Sequence, residues 1–190
     1  MTWYEFLLFV HISASVVWIG AGFLLMVLAI RADRTGDEAV LKRILDDNAW
    51  LATHLFIPAS LVVVAAGILL VIDGPWAFDQ LWVVLGLAGY LSTFVTGVAV
   101  LKPRGDRIAE TIARDGGMTP VALAETRRLL ALARIDYVTL FLVIADMAIK
   151  PTGDDVALLI AMAAIFVAGL AWAIGVAQSV TVPESAPASG

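Results

Sequence analysis

The chain contains two histidines, and each lies inside a long apolar stretch. His11 sits in YEFLLFVHISASVVWIGAGFLLMVLAI and His54 in NAWLATHLFIPASLVVVAAGILLVI. An imidazole in hydrocarbon is costly unless its nitrogens find partners, so each ring marks a candidate site for a ligand, a metal or a proton. His11 and Trp18 are seven residues apart and share one helix face after two turns. Ser15, Gly20, Ala21 and Gly22 lie around them and leave room for a neighbouring helix or a flat ligand. Pro58 follows His54 by four residues. A helical proline deletes the hydrogen bond to the carbonyl at i−4 and crowds it, so the irregularity falls on His54. Structural readings compete with these: a histidine bonded to a neighbouring helix, and a membrane proline whose lost bond is repaired by its surroundings.

A later apolar segment adds charge. Asp146 and Lys150 are i, i+4, a favoured acid–base spacing, and Arg134, Asp136 and Tyr137 lie toward its other end. Depth then suggests an outer cluster of His11, Asp146 and Lys150 and an inner cluster of His54, Asp136 and Tyr137. At 1.5 Å per residue the two imidazoles are offset by roughly 10 Å along the membrane normal. Ligation of one haem by both requires a tilted porphyrin. A metal held by His11 and His54 requires Asp136 or Asp146 to complete it. A carboxylate could also orient an imidazole by accepting its second N–H, or Arg134 and Lys150 could simply snorkel beside neutralising acids.

The elements that must carry these residues are helices. The chain is 61% hydrophobic, well above the roughly 45–50% of soluble domains. The excess falls in blocks long enough for a bilayer core of roughly 30 Å, giving an all-α membrane bundle of five spans, about 3–30, 49–72, 80–101, 129–149 and 156–179. Thr2 and Glu5 form a capping-box signal, Thr35 and Glu38 suggest another, Thr119-Pro120 reads as an N-cap followed by proline, and Thr152 to Asp155 caps the last span. The polar segment after the first span reads as a helix running into the second. Residues 181–190, rich in Pro and Ser, read as a disordered tail. The first span reads as a retained helix, because no basic n-region precedes it and no small-residue cleavage site follows.

Charge orients the bundle. Eleven of the twelve basic residues fall in or beside the first and third loops, and Lys150 alone lies opposite. The positive-inside rule puts the N-terminus outside and the C-terminus in the cytoplasm. The basic residues form no aromatic-interleaved patch, so nucleic acid is not an expected partner. With no cysteine, thiolate metal sites, iron–sulfur clusters and covalently attached haem are excluded. No phosphate loop, HExxH motif or nucleophile elbow is present. Glycines and a tryptophan in the third and fifth spans (Gly86, Gly89, Gly97, Gly169, Trp172, Gly175) read as helix-packing positions.

The run FVHISASVVWIGAGF, with His11, six residues, Trp18 and then glycines, resembles the first helix of a bacterial superfamily that includes the copper resistance protein D group and the HemJ-type protoporphyrinogen oxidases. Together with DYVTLFLVIADMAIKP it is closer to a related family of predicted integral membrane proteins without assigned function. The resemblance implies a small helical bundle in a bacterial inner membrane, b-type haem, and a first-helix histidine corresponding to His11. The HemJ-type third helix also carries a functional lysine. The matching stretch here, LWVVLGLAGYLST, has none, and the next lysine is Lys102. The copper-resistance likeness implies copper handling, for which the chain offers five methionines and no cysteine.

The leading expectation is a haem- or porphyrin-binding redox protein, with haem b as cofactor, His11 and His54 as ligands and Trp18 as neighbouring aromatic. One rival is a proton-coupled metal or small-solute transporter using Asp136, Asp146, Lys150 and the histidines as a relay. Another is a non-catalytic assembly factor that pairs with itself or with another membrane protein.

Overall fold

The computed structural model describes residues 1–180, and every regular element among them is helical. The expected disordered tail lies outside the described residues. Helix α1 (Trp3–Thr35) opens with the capping box the sequence predicts: Glu5 N–H donates to Thr2 Oγ1 at 3.2 Å, and Thr2 N–H donates to the Glu5 carboxylate at 2.7 Å. It stops at Gly36, whose φ of 69° is left-handed and suits glycine. Helix α2 (Glu38–Leu51) is capped by Asp37, which accepts from Val40 N–H. The sequence pointed to Thr35 for this cap, but Thr35 still belongs to α1 and its hydroxyl donates back to Arg31 and Ala32.

The chain then passes without a break through a widened turn, Ala52–Phe56, into α3 (Ile57–Asp73). Ile57 N–H reaches Ala52 C=O five residues back, so one extra residue is accommodated in the turn. The reason is the next residue: Pro58 has no N–H and would crowd the His54 carbonyl in a regular helix. The same device recurs where α4 (Leu81–Thr96) passes through Gly97–Leu101 into α5 (Lys102–Arg114), just before Pro103. Helix α6 (Pro120–Ile149) starts on the expected Thr119 cap, and α7 is Val156–Ser179. At the start of α7 the predicted cap is reversed: Asp155 is the N-cap residue, and its carboxylate accepts from the N–H and hydroxyl of Thr152.

Four stretches are long and apolar enough to cross a membrane: Trp3–Thr35, Glu38–Asp73, Leu81–Arg114 and Val156–Ser179. The expected fifth span, in α6, differs from them because Arg134, Asp136 and Asp146 lie along it. Helix α6 is nonetheless central, packed against α1, α4, α5 and α7, while α1 pairs with α3. Close approach is made through glycine: the Tyr137 hydroxyl occupies the space a side chain at Gly22 would need, Val143 does so at Gly89, and Val138 lies 3.0 Å from a Cβ placed at Gly169. Gly86 likewise admits Met147, whereas Gly97 and Gly175, also expected at packing positions, face open space.

At the basic end the helices extend into a compact layer. Ala29, Ala32, Leu41 and Leu130 form one apolar cluster there, and Ile108, Ile112, Ala122 and Leu129 form another. Arg127 ties α6 to α1 through Asp33 at 2.7 Å. Elsewhere large apolar side chains such as Phe9, Val16 and Val167 point outward, over half exposed. A surface of that composition suits lipid.

Candidate functional site

His11 projects from α1 onto α3. Its Nδ1 lies 2.8 Å from the Val63 carbonyl oxygen. A carbonyl only accepts, so Nδ1 carries the proton and Nε2 keeps its lone pair. Gly67, one turn beyond Val63, makes this possible: a Cβ there would stand 3.1 Å from His11 Cε1 and 3.3 Å from Nδ1. The ring is therefore clamped on backbone at one nitrogen, while the other is left for whatever enters beside it. Backbone carbonyls commonly orient ligating histidines in this way.

Beside the ring is a cavity of about 680 Å³, lined from α1, α3, α4, α6 and the segment between α3 and α4. This size falls in the roughly 300–1,000 Å³ range of small-molecule and cofactor pockets. Its walls are apolar and aromatic: Trp18 meets Tyr90 edge to face at 5.8 Å, and Phe23 meets Phe141 in the same way at 5.4 Å. Gly20 adds open wall, with nothing near the position of its missing side chain. Lys150 stands in the lining at the far end of α6.

A second, smaller cavity of about 190 Å³ lies toward the basic end. Asp136, Tyr137, Asn48 and Lys102 line it. Trp18 and Leu140 line both cavities and so form the layer between them. Lys102 is engaged by Asp106 at 2.7 Å.

The expected clusters are only partly assembled. His11 and Lys150 share the outer cavity, and Asp136 and Tyr137 share the inner one. Asp146 packs behind the outer cavity against Gly86; it is 2% exposed, and neither carboxylate oxygen has a hydrogen-bond partner among the described residues. His54 joins neither cavity. It sits in the widened turn, exposed, with Nδ1 on the Trp50 carbonyl of its own helix and its ring stacked on Trp50 at 4.5 Å. The level of His11 is set by Val63, nine residues beyond His54, which is roughly 13 Å along the helix axis. The two imidazoles are therefore not brought together in one cavity, as a shared haem or a His11–His54 metal pair would need. Among the described residues no three His, Cys, Asp or Glu side chains gather as a metal-ligand set. Both imidazoles are oriented by backbone carbonyls, where the sequence suggested carboxylates.

The sequence model of a family described as "Predicted integral membrane protein (DUF2269)" matches residues 5–151. The chain belongs to this family. The DUF2269 match runs from the first turn of α1 to just past Lys150, and so takes in every lining residue named above while leaving out α7. No curated protein matches the chain, and no solved structure does. Neither comparison carries the likeness to the copper resistance protein D group or the HemJ-type oxidases.

Several residues of this candidate site carry no motif. The Val63 carbonyl is backbone and leaves no trace in residue type. Gly67, alone in the β-branched and alanine-rich run VVVAAGILL, is the one visible signal for the clamp. Tyr90 and Trp82 look like ordinary membrane aromatics until the helices are packed.

Proposed function

We propose that the protein is a haem- or porphyrin-binding membrane protein with a redox role, and that the outer cavity is its site. The supporting observation is the His11 imidazole, whose Nδ1–H donates to Val63, whose Nε2 has no hydrogen-bond partner among the described residues, and whose ring lines an aromatic-walled cavity of cofactor size. A b-type haem would supply one-electron chemistry there, with its potential set by axial ligand and surroundings. The chain's own part is to hold the Nε2 lone pair in place, to wall the cavity with Trp18 and Tyr90 and to keep water out with apolar side chains. His11 is the single imidazole in this reading. The proposal includes a fifth span in the second half of α6, an N-out and C-in orientation in a bacterial inner membrane, and one domain that contains all five spans. The experiment is a spectrum in detergent. Haem-supplemented protein is expected to show a Soret band that His11→Ala loses and His54→Ala retains. A wild-type spectrum without the band, or one that His11→Ala leaves unchanged, overturns the reading.

A second reading is favoured by the layout of two cavities meeting at Trp18 and Leu140, with Asp136 on one side and the unpartnered Asp146 beside the other. Protonatable groups on both sides of one thin layer suit proton-coupled movement of a metal or small solute. Flux into liposomes that depends on a pH gradient and is lost in Asp136→Asn supports it. The absence of such flux for divalent metals and small organic solutes removes it.

A further inference from the structure

We infer that the mouth of the outer cavity is a receptor for a carboxylate: Lys150, caged by Trp76 and Trp82, binds the acidic group of an apolar ligand whose body fills the cavity. This deepens the haem reading by naming the part of the ligand that the far end of the cavity recognises, but it stands on different residues.

Lys150 is held by its backbone. It ends α6 with φ 55° and ψ 60°, and it is the one non-glycine residue at positive φ among those described. Such a conformation is uncommon for a side-chain-bearing residue, and it places Lys150 where its ammonium reaches back to donate to the Met147 carbonyl at 3.0 Å. An ammonium has three donors, so two remain. The Trp76 and Trp82 ring centres lie 5.5 and 5.4 Å from Nζ. Those rings are themselves fixed. They meet edge to face at 5.2 Å, Trp76 Nε1 donates to the Tyr4 hydroxyl at 3.3 Å, and Trp82 Nε1 donates to the Gln80 side-chain oxygen at 3.2 Å. The cation is thus pre-positioned, and little ordering remains to be done when a ligand arrives.

The ammonium also lacks an ion-pair partner among the described residues. No Asp or Glu lines the outer cavity. Asp146, one turn earlier, is not an ion-pair partner of Lys150, and no other carboxylate is one among the described residues. A single cation at the end of an apolar, aromatic chamber matches a ligand with the opposite arrangement, an apolar body ending in an anion. Carboxylate on ammonium is a charge-assisted hydrogen bond, stronger than its neutral counterpart and stronger still out of water. Two sources share this chemistry, the side-chain carboxylates of a porphyrin and the headgroup of a fatty acid. Lys150 could otherwise serve only as an interfacial anchor beside its tryptophans. An anchor would affect folding but would not tell an acid from its ester.

The test uses the full chain in detergent with three probes: haem, haem dimethyl ester and oleate. Haem is expected to bind at least about tenfold more tightly than its ester, with the difference abolished in Lys150→Met and restored in Lys150→Arg. Oleate is expected to raise the thermal midpoint of the wild type and not that of Lys150→Met. Equal binding of haem and ester by the wild type, together with no oleate effect, overturns the receptor while leaving the haem reading intact. Oleate binding that depends on Lys150 without any Soret band keeps the receptor, assigns it to lipid and removes the haem reading. The comparison of acid with ester needs only wild-type protein, so it decides the matter even where Lys150→Met does not fold.

Discussion

At the scale of residues, two histidines of the same type in similar sequence surroundings have different fates. His11 spends one nitrogen on a carbonyl across a helix interface, and its ring lines a cavity. His54 spends one on its own helix and stacks its ring on Trp50 at the exposed surface. The difference lies in the neighbour, since α3 offers His11 a glycine to lie against. Gly67→Val places a branched side chain where a Cβ alone would already stand 3.1 Å from the imidazole. The ring must then move off Val63. Losing the group that orients a ligating histidine typically costs about 10–100-fold in affinity, so haem affinity is expected to fall in that range when titrated by the Soret band. An unchanged affinity would show that the clamp on Val63 is incidental. Residue types announced the two imidazoles, Trp18, Asp136 and Lys150 in the sequence. They did not announce which of them share a chamber, because residue type carries no rotation about the helix axis.

At the scale of elements, prolines and caps explain most of the irregularity. Pro58 and Pro103 each follow a widened turn, and each turn lies where a membrane-crossing segment meets its polar extension. The sequence located the first of these on His54 by the i−4 rule; the second obeys the same rule. The turn leading into α7 is held by a carboxylate. Asp155 accepts from the N–H and hydroxyl of Thr152, and these bonds hold its pKa below the ordinary 3.8. A depressed folded-state pKa means that the contribution is present above the ordinary value and is lost as pH falls through the lowered one. Amide exchange at Thr152, corrected for intrinsic rate, is expected to stay slow at neutral pH and to accelerate as the solution is taken below the Asp155 pKa. In Asp155→Ala it is expected to be fast throughout. Protection that ignores both changes would mean the turn is held by other contacts.

At the scale of the whole molecule, the two ends are built by different rules. The basic end has a buried apolar layer under α2 and α5 and an ion pair, Arg127 with Asp33, between partly exposed side chains. A pair this exposed contributes at most about 1 kcal/mol, so the apolar layer carries that end. The middle turns its large apolar residues outward to lipid and lines its two chambers with a few polar groups, among them His11, Asp136 and Lys150. In the proposed orientation the basic layer lies in the cytoplasm. An alkaline phosphatase fusion at the C-terminus is therefore expected to be inactive, and one ahead of Trp3 active. The opposite pattern would invert the topology and place Lys150 on the cytoplasmic side.

Sequence alone determined the helical class, the apolar stretches, the capping box at Thr2 and the irregularity before Pro58, because each depends on residues within a turn or two of one another. Thr35 and Thr152 misled as caps because each helix begins two or three residues later than the cap signal suggests, so that Asp37 and Asp155 stand at the ends. Tertiary structure alone decided that His11 meets Val63, 52 residues away, that Lys150 meets Trp76 and Trp82, and that His54 meets neither cavity. In a chain apolar on nearly every face, periodicity does not say which face of a helix turns inward. Small residues such as Gly22, Gly67 and Gly89 set how each helix is rotated against the next, and that rotation puts one imidazole in a chamber and the other on the surface.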